Sequence, residues 1–242
     1  MFNSRAGRLL AFGVLVAVAC ITASRVGAAA QDAGVMWLVF VDDLHLDFRN
    51  TGHIRTLLRS IESELIRDGD AFVLRSSGSS PSIPFTTNRS LLDAAIGRVA
   101  GNGLLPALIL QLSPAQQDEL RSRALLAGSA ATEMLNAGSS PSSRRQAMLY
   151  ITNGYDLDPP DVRVAGFARA AQRAKVTVFA MNARGLPSAP ALPVQGDAAL
   201  WASYRAALLN SLRAISEPTG GFAVLDEADF ADALQRIDRS VR

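Results

Sequence analysis

The sequence has one cysteine, Cys20, within its first 30 residues. Residues 31–242 therefore carry no thiol, which excludes disulfides, cysteine-ligated zinc and a thiol nucleophile. Lysine is as scarce: Lys175 is the one lysine among 24 basic residues, a bias that points to a GC-rich coding genome rather than to a binding mode. The two histidines are His45 and His53, and His53 falls in the first turn of a helix, where it reads as a surface residue. No internal repeat, no G-x-x-x-x-G-K-[ST] loop and no basic stripe is present, so neither nucleotide phosphate nor nucleic acid is an expected partner.

The apolar content is unevenly placed. Residues 1–30 hold Arg5 and Arg8, then an apolar run from Leu9 to Ala23, then Ala28-Ala29-Ala30. That is the plan of a secretory signal peptide cleaved after Ala30. The run of 15 residues is short for a spanning helix of about 20. Cys20 after "AVA" leaves a lipid-anchored form as an alternative, and an uncleaved anchor as a third; these are the routes to a membrane. Export places the protein in the periplasm or outside the cell. Removing Arg5, Arg8 and Arg25 from a chain of net charge +2 leaves −1 for residues 31–242. The high isoelectric point is thus mostly a property of the leader.

Residues 31–242 read as one α/β domain. "VMWLVFVD" (35–42) is a continuous apolar run, as in a strand buried on both faces. Ile54, Leu57, Leu58, Ile61 and Leu65 recur at helical spacing. Strands follow at 70–77 and 82–88, the second with Pro84, which suits a sheet edge. Asn88 caps a helix carrying Leu91, Leu92, Ala95, Ile96 and Val99. Ser113, Pro114 and Gln116 open another helix, which runs to about Asn136. The connector 138–145 is polar. After it come a strand at 147–152, a helix, a strand at 175–182, a Pro-rich loop at 184–196, a long helix over 200–215, a strand at 218–226 and a final helix. Strands separated by helices predict a doubly wound, mainly parallel sheet with helices on both faces. The connection from 77 to 82 is too short for a crossover, so that pair should be antiparallel. The apolar segment 101–113 reads as core packing, with a docking surface as the alternative.

The first strand ends in Asp42-Asp43, with His45 and Asp47 close behind. The segment "VFVDDLHLDF", followed in order by "RDGDAFVLRSS", "IPFTTNRSLLDAAI", "RRQAMLYITNGYD", "ARAAQRAKVTVFAMNARGL" and "LRAISEPTGGFAVL", resembles the von Willebrand factor type A (vWA) domain, in particular its secreted bacterial branch. The likeness runs from Val35 to Arg242. It implies a six-stranded sheet with an antiparallel edge and an interaction module that binds its ligand at the carboxyl-end rim. Many such domains hold a divalent metal there through D-x-S-x-S, a threonine and the Asp of T-D-G. Here the pattern is degenerate. With Asp42 as first ligand, Leu44 and Leu46 replace both serines. With Asp43 first, the set becomes Asp43, His45 and Asp47, a donor set suited to Mn²⁺, Zn²⁺ or Fe²⁺ rather than Mg²⁺. Thr86 or Thr87 would supply the threonine, and Asn153 stands in place of the second Asp.

The expected rim therefore comprises Asp42, Asp43, His45, Asp47, Thr86, Thr87, Asn153 and Asp156, with Asp42 or Asp43 facing Asn153 across the first and fourth strands. The acids, with Asp158, could draw a basic partner. The expected function is a non-catalytic module binding a protein of unknown identity, its metal dependence lost or altered. The alternative is a periplasmic metal-dependent hydrolase using Asp43, His45 and Asp47. A dehalogenase-type D-x-D is broken by Leu44, and "GSSPS" (138–142) is no nucleophile elbow. N-terminal sequencing of the exported protein is expected to start at Gln31; a lipid-modified Cys20 at the start would establish the anchored form instead.

Overall fold

The computed structural model describes residues 34–104, 112–138, 144–156, 162–183, 198–226 and 229–242. Residues 1–33, most of the apolar stretch 101–113, the middle of connector 138–145, Asp158 and the loop 184–196 lie outside them. The strands are β1 (Met36–Val41), β2 (Ala71–Ser76), β3 (Ile83–Thr86), β4 (Gln146–Thr152), β5 (Val176–Asn182) and β6 (Ala223–Val224). The helices among the described residues are α1 (Thr51–Glu64), α2 (Arg89–Ile96), α3 (Pro114–Gly138), α4 (Val162–Ala174), α5 (Ala198–Ser216) and α6 (Phe230–Val241). None of them is long and apolar enough to cross a membrane.

The strands form one sheet in the order β3-β2-β1-β4-β5-β6. Every pair is parallel except β2 with β3. The antiparallel edge is the one required by the short connection between those strands. Alternation along β1 sends Trp37, Val39 and Val41 to one face and Leu38 and Phe40 to the other. The first set packs with Ile54, Leu58 and Ile61 of α1, Leu92 of α2 and Leu234 and Ile237 of α6. The second packs with Ala131 and Leu135 of α3, Phe167 of α4 and Leu212 of α5. Burial on both faces explains why the strand reads as an unbroken apolar run.

The helix starts are as their residues dictate. The Asn88 side chain accepts from the Ser90 amide at 3.1 Å. Ser113 and Gln116 form a reciprocal box, the Ser113 amide donating to Gln116 Oε1 at 2.9 Å and the Gln116 amide to Ser113 Oγ at 3.4 Å. The last strand is shorter than the sequence predicts. Glu217–Thr219 is a 3₁₀ turn, and Gly220 at φ 84° is left-handed. Pro218 has no amide to give a ladder, so pairing starts only at Ala223.

Strand order reverses between β1 and β4, because the chain winds outward through β2 and β3 before returning to β4. The carboxyl ends of these two strands frame the crevice where open α/β sheets bind ligands. At the opposite end, Asp70 is buried and holds the molecule shut. Its carboxylate accepts from the Val35 amide at 2.7 Å, Trp37 Nε1 at 3.0 Å, the Arg67 amide at 2.9 Å and Arg242 at 2.6 Å. These bonds tie β1, β2 and the end of α6 together. Burial raises the Asp70 pKa, and the Arg242, Arg67, Trp37 and Val35 donors more than reverse this, leaving it below the ordinary value. A depressed folded-state pKa stabilises at pH values above the unfolded pKa and loses that contribution as pH falls through the folded one. Asp70→Ala is expected to cost about 3 kcal/mol at neutral pH. Urea titrations should show the gap from wild type narrowing below about pH 4.

Candidate functional site

β1 delivers Asp42 to the switch point with no exposed surface. The Asp42 amide continues the ladder to the Ile151 carbonyl at 2.9 Å. Its carbonyl then accepts from the amides of His45 and Leu46, turning the chain immediately. Its carboxylate is filled by side-chain donors. Oδ1 accepts from Ser77 at 2.7 Å and Oδ2 from Thr152 at 2.8 Å and Tyr155 at 2.7 Å. His45 Nδ1 reaches both oxygens, at 3.0 and 2.9 Å. Tyr150 extends the chain, its hydroxyl 2.6 Å from that of Tyr155.

Burial pushes the Asp42 pKa up, but His45, Tyr155 and Ser77 outweigh this and hold it below the ordinary carboxylate value. The group is therefore an anion, and an anion only accepts. His45 Nδ1 must carry its proton, and Thr152 and Tyr155 must point theirs at Oδ2. Burial and the charge of Asp42 push both Tyr150 and Tyr155 well above the ordinary phenol value, so both remain neutral.

Asp43 does different work. Its Oδ1 accepts from the Gly78 amide at 2.6 Å and its Oδ2 from the Ser80 amide at 2.8 Å, and Ser77 Oγ, whose one proton it shares with the nearer Asp42, lies 3.0 Å from Oδ1. The carboxylate pins the loop that follows β2. Gly78 has to be small, since a Cβ there would lie 2.9 Å from Asp43 Oδ1. Asp47 caps the 3₁₀ turn Phe48–Asn50 through the Arg49 amide and pairs with the Arg49 guanidinium at 2.5 Å.

These positions correct the expected ligand set. Asp43, His45 and Asp47 do not converge: alternate residues after a strand point apart once the chain turns, and each has its own partner. Among the described residues no three His, Cys, Asp or Glu side chains gather as a metal site. Asn153 does not face a carboxylate either. Its Nδ2 donates to the His45 carbonyl at 2.8 Å, and its buried Oδ1 has no partner among the described residues. The neighbour of Asp42 on β4 is Thr152. Thr86 and Thr87 belong to the other end of the sheet. Because β3 is antiparallel, Thr86 pairs with Phe72, four residues or about 13 Å before the rim end of β2. The Thr86 hydroxyl accepts from the Asn88 amide at 3.0 Å. Leu46 is buried in the core, which is why it stands where a ligating serine would.

Beside the network opens a cleft of about 260 Å³, lined in part by His45, Arg121, Tyr155, Asp156, Leu200 and Tyr204. Gly154 shapes its floor at φ 87°, with no room for a Cβ against the Leu208 carbonyl. Asp156 is exposed at its edge. Ser77, Thr152, Tyr150 and Tyr155 escape sequence reasoning. Rarity is the signal that could have found the tyrosines: the chain has three, and all of them line the cleft or join the network.

No protein-family model matches the chain, and no curated protein matches it. Solved structures are similar at low identity. A conserved hypothetical protein, BatB, from Bacteroides thetaiotaomicron is 15% identical, covering 86% of this chain and 98% of its own, with a TM-score of 0.46. A von Willebrand factor type A protein from Catenulispora acidiphila is 12% identical over 85% of this chain and 42% of its own, with a TM-score of 0.49. The PilB minor pilin from Streptococcus sanguinis is 9% identical over 89% and 62%, with a TM-score of 0.46. The fold class itself rests on the strand order and the antiparallel edge: an α/β, vWA-like doubly wound sheet.

If the hydroxyls and the imidazole share the charge of Asp42, its loss and the loss of one donor should differ sharply. Asp42→Ala is expected to cost about 4 kcal/mol, because it strands buried donors together. His45→Ala should cost about 1–2 kcal/mol, the three hydroxyls still holding the anion. Denaturant unfolding of the two variants reads the order; the reverse order would make His45 the main compensating group.

Proposed function

We propose that the protein is an exported, non-catalytic interaction module that receives a protein partner at the carboxyl-end rim without a metal ion. The observation that supports this is the saturation of Asp42. Both carboxylate oxygens are already occupied by His45, Ser77, Thr152 and Tyr155 at hydrogen-bonding distance. A cation would have to displace these donors and would gain no oxygen from Leu44 or Leu46. The hydrolase reading lacks its geometry, since Asp43, His45 and Asp47 are each committed elsewhere. His45 Nδ1 is held by Asp42, which commits the imidazole to the buried anion.

What the rim offers instead is a rigid, mixed surface. Leu200 is 53% exposed and lines the cleft with Leu112, Leu120 and Tyr204 beside Arg121 and His45. An apolar notch with a few polar groups suits one anchoring side chain of a partner. Function then sits on loops held by the sheet.

Calorimetry of the exported protein with Mg²⁺, Mn²⁺ and Zn²⁺ is expected to show no binding tighter than about 1 mM. A photo-crosslinking side chain placed at Leu200 in the producing cell should yield a defined protein adduct, whereas one at the opposite-end Thr87 should not. Micromolar Mg²⁺ binding, or equal adducts from both positions, would overturn the proposal.

A further inference from the structure

A second and larger cavity, of about 520 Å³, opens between α3 and α4, with Gly128 and Thr132 on one wall, Gly166 and Ala170 on the other, and Tyr150 and Tyr155 also lining it. Its volume lies in the usual range for small-molecule sites. Two independent observations say what it would hold.

The first concerns the glycines. Both lie inside helices, where glycine is less favourable than alanine. Close packing does not demand them: a Cβ on Gly128 or on Gly166 would meet nothing within 4 Å. They border open space on both walls, and any larger side chain at either position would project into it.

The second concerns the direction of the hydrogen bonds. The Asp42 anion only accepts, so Tyr155 must give its single hydroxyl proton to Oδ2. The 2.6 Å contact between the two phenol oxygens then needs the proton of Tyr150. Tyr150 Oη has thereby given its proton away and keeps lone pairs with no donor among the described residues. Tyr150 is 2% exposed, and the cavity is the open space it borders. Tyr150 Oη is bonded to Tyr155 and can accept one further hydrogen bond. The ring of Phe167 stands edge-on to that of Tyr150, with centroids 5.4 Å apart, and lines the same cavity. Aromatic walls favour a flat ring. Glu133 and Arg173 also line the cavity, but the Glu133 carboxylate is taken by Arg75 at 2.6 Å, which favours a neutral donor over an ammonium.

We propose that this cavity binds a small neutral aryl alcohol of phenol type, its ring between α3 and α4 and its hydroxyl donated to Tyr150. The site shares Tyr155 with the rim cleft but does not depend on how the rim is used.

The probe pair is 2-naphthol and 2-methoxynaphthalene, equal in ring size but only the first a donor. Titration of the exported protein, followed by probe fluorescence, should show 2-naphthol binding about tenfold tighter or more, the loss expected when a buried acceptor is left unpaired. Tyr150→Phe should bring the two affinities together. Gly166→Leu, which fills the open space, should weaken 2-naphthol about tenfold or more while the protein keeps its cooperative melt. Equal affinities of the two probes for the wild type, no 2-naphthol binding up to its solubility, or an unchanged affinity in a folded Gly166→Leu would each overturn the proposal. The wild-type comparison decides alone should Tyr150→Phe fail to fold.

Discussion

A carboxylate with no exposed surface sits at the point where the sheet reverses direction, and the upper half of the molecule is arranged around it. Taking an anion out of water costs several kcal/mol even after relaxation. Asp42 offsets this with charge-assisted bonds from Ser77, His45, Thr152 and Tyr155, each worth about 1.5–3 kcal/mol. Those donors come from the loop after β2, the turn after β1 and the end of β4. One buried charge thus fixes the relative positions of three segments. Asp43 extends the grip to the loop over Gly78 and Ser80, and Ser77 touches both acids, accepting in turn from the Leu44 amide.

The opposite end of the sheet uses the same device for another purpose. Asp70 gathers two backbone amides, the Trp37 indole and Arg242. Its partners are a strand start, a turn and the end of α6, all of them structural. The two buried acids therefore differ in what surrounds them rather than in their own chemistry. At Asp42 the donors are hydroxyls and an imidazole, and two of them, His45 and Tyr155, also border cavities. At Asp70 they are amides and a guanidinium, which close the fold.

Much of the fold was legible because its signals are local. The apolar run of β1, the Asn88 and Ser113 caps and the short link between β2 and β3 each dictate their own geometry. The rim was legible only in part. Asp42 and His45 stood out as charge and imidazole after a buried strand, and they do meet. Thr86 misled because motif order says nothing of strand direction: an antiparallel β3 carries its end away from the rim. Asp43 and Asp47 misled because carboxylates close in sequence need not converge, and a turn after residue 42 sends each to a different loop. Ser77 was missed because a serine after a strand is ordinary; what makes it matter is a contact 35 residues distant. Asn153 occupied the expected place but bonded a carbonyl, which is what an amide nitrogen can do and a carboxylate cannot.

The proton order in the network has a consequence that no single residue reveals. An anion at Asp42 forces Tyr155 to donate inward, and this in turn forces Tyr150 to donate to Tyr155. Acceptor character is thereby passed from the switch point to the cavity between α3 and α4, through two phenols whose raised pKa values keep them neutral. The internal donors occupy both oxygens of Asp42, yet they leave the charge in place and move its influence. Tyr155 borders both the rim cleft and the larger cavity, and its ring meets that of His45 edge-on with centroids 4.9 Å apart. Any displacement of Tyr155 from the cavity side would have to break a bond to Asp42, and the imidazole at the rim rests on that same carboxylate. The polarity of the cavity and the rigidity of the rim are two results of one buried charge.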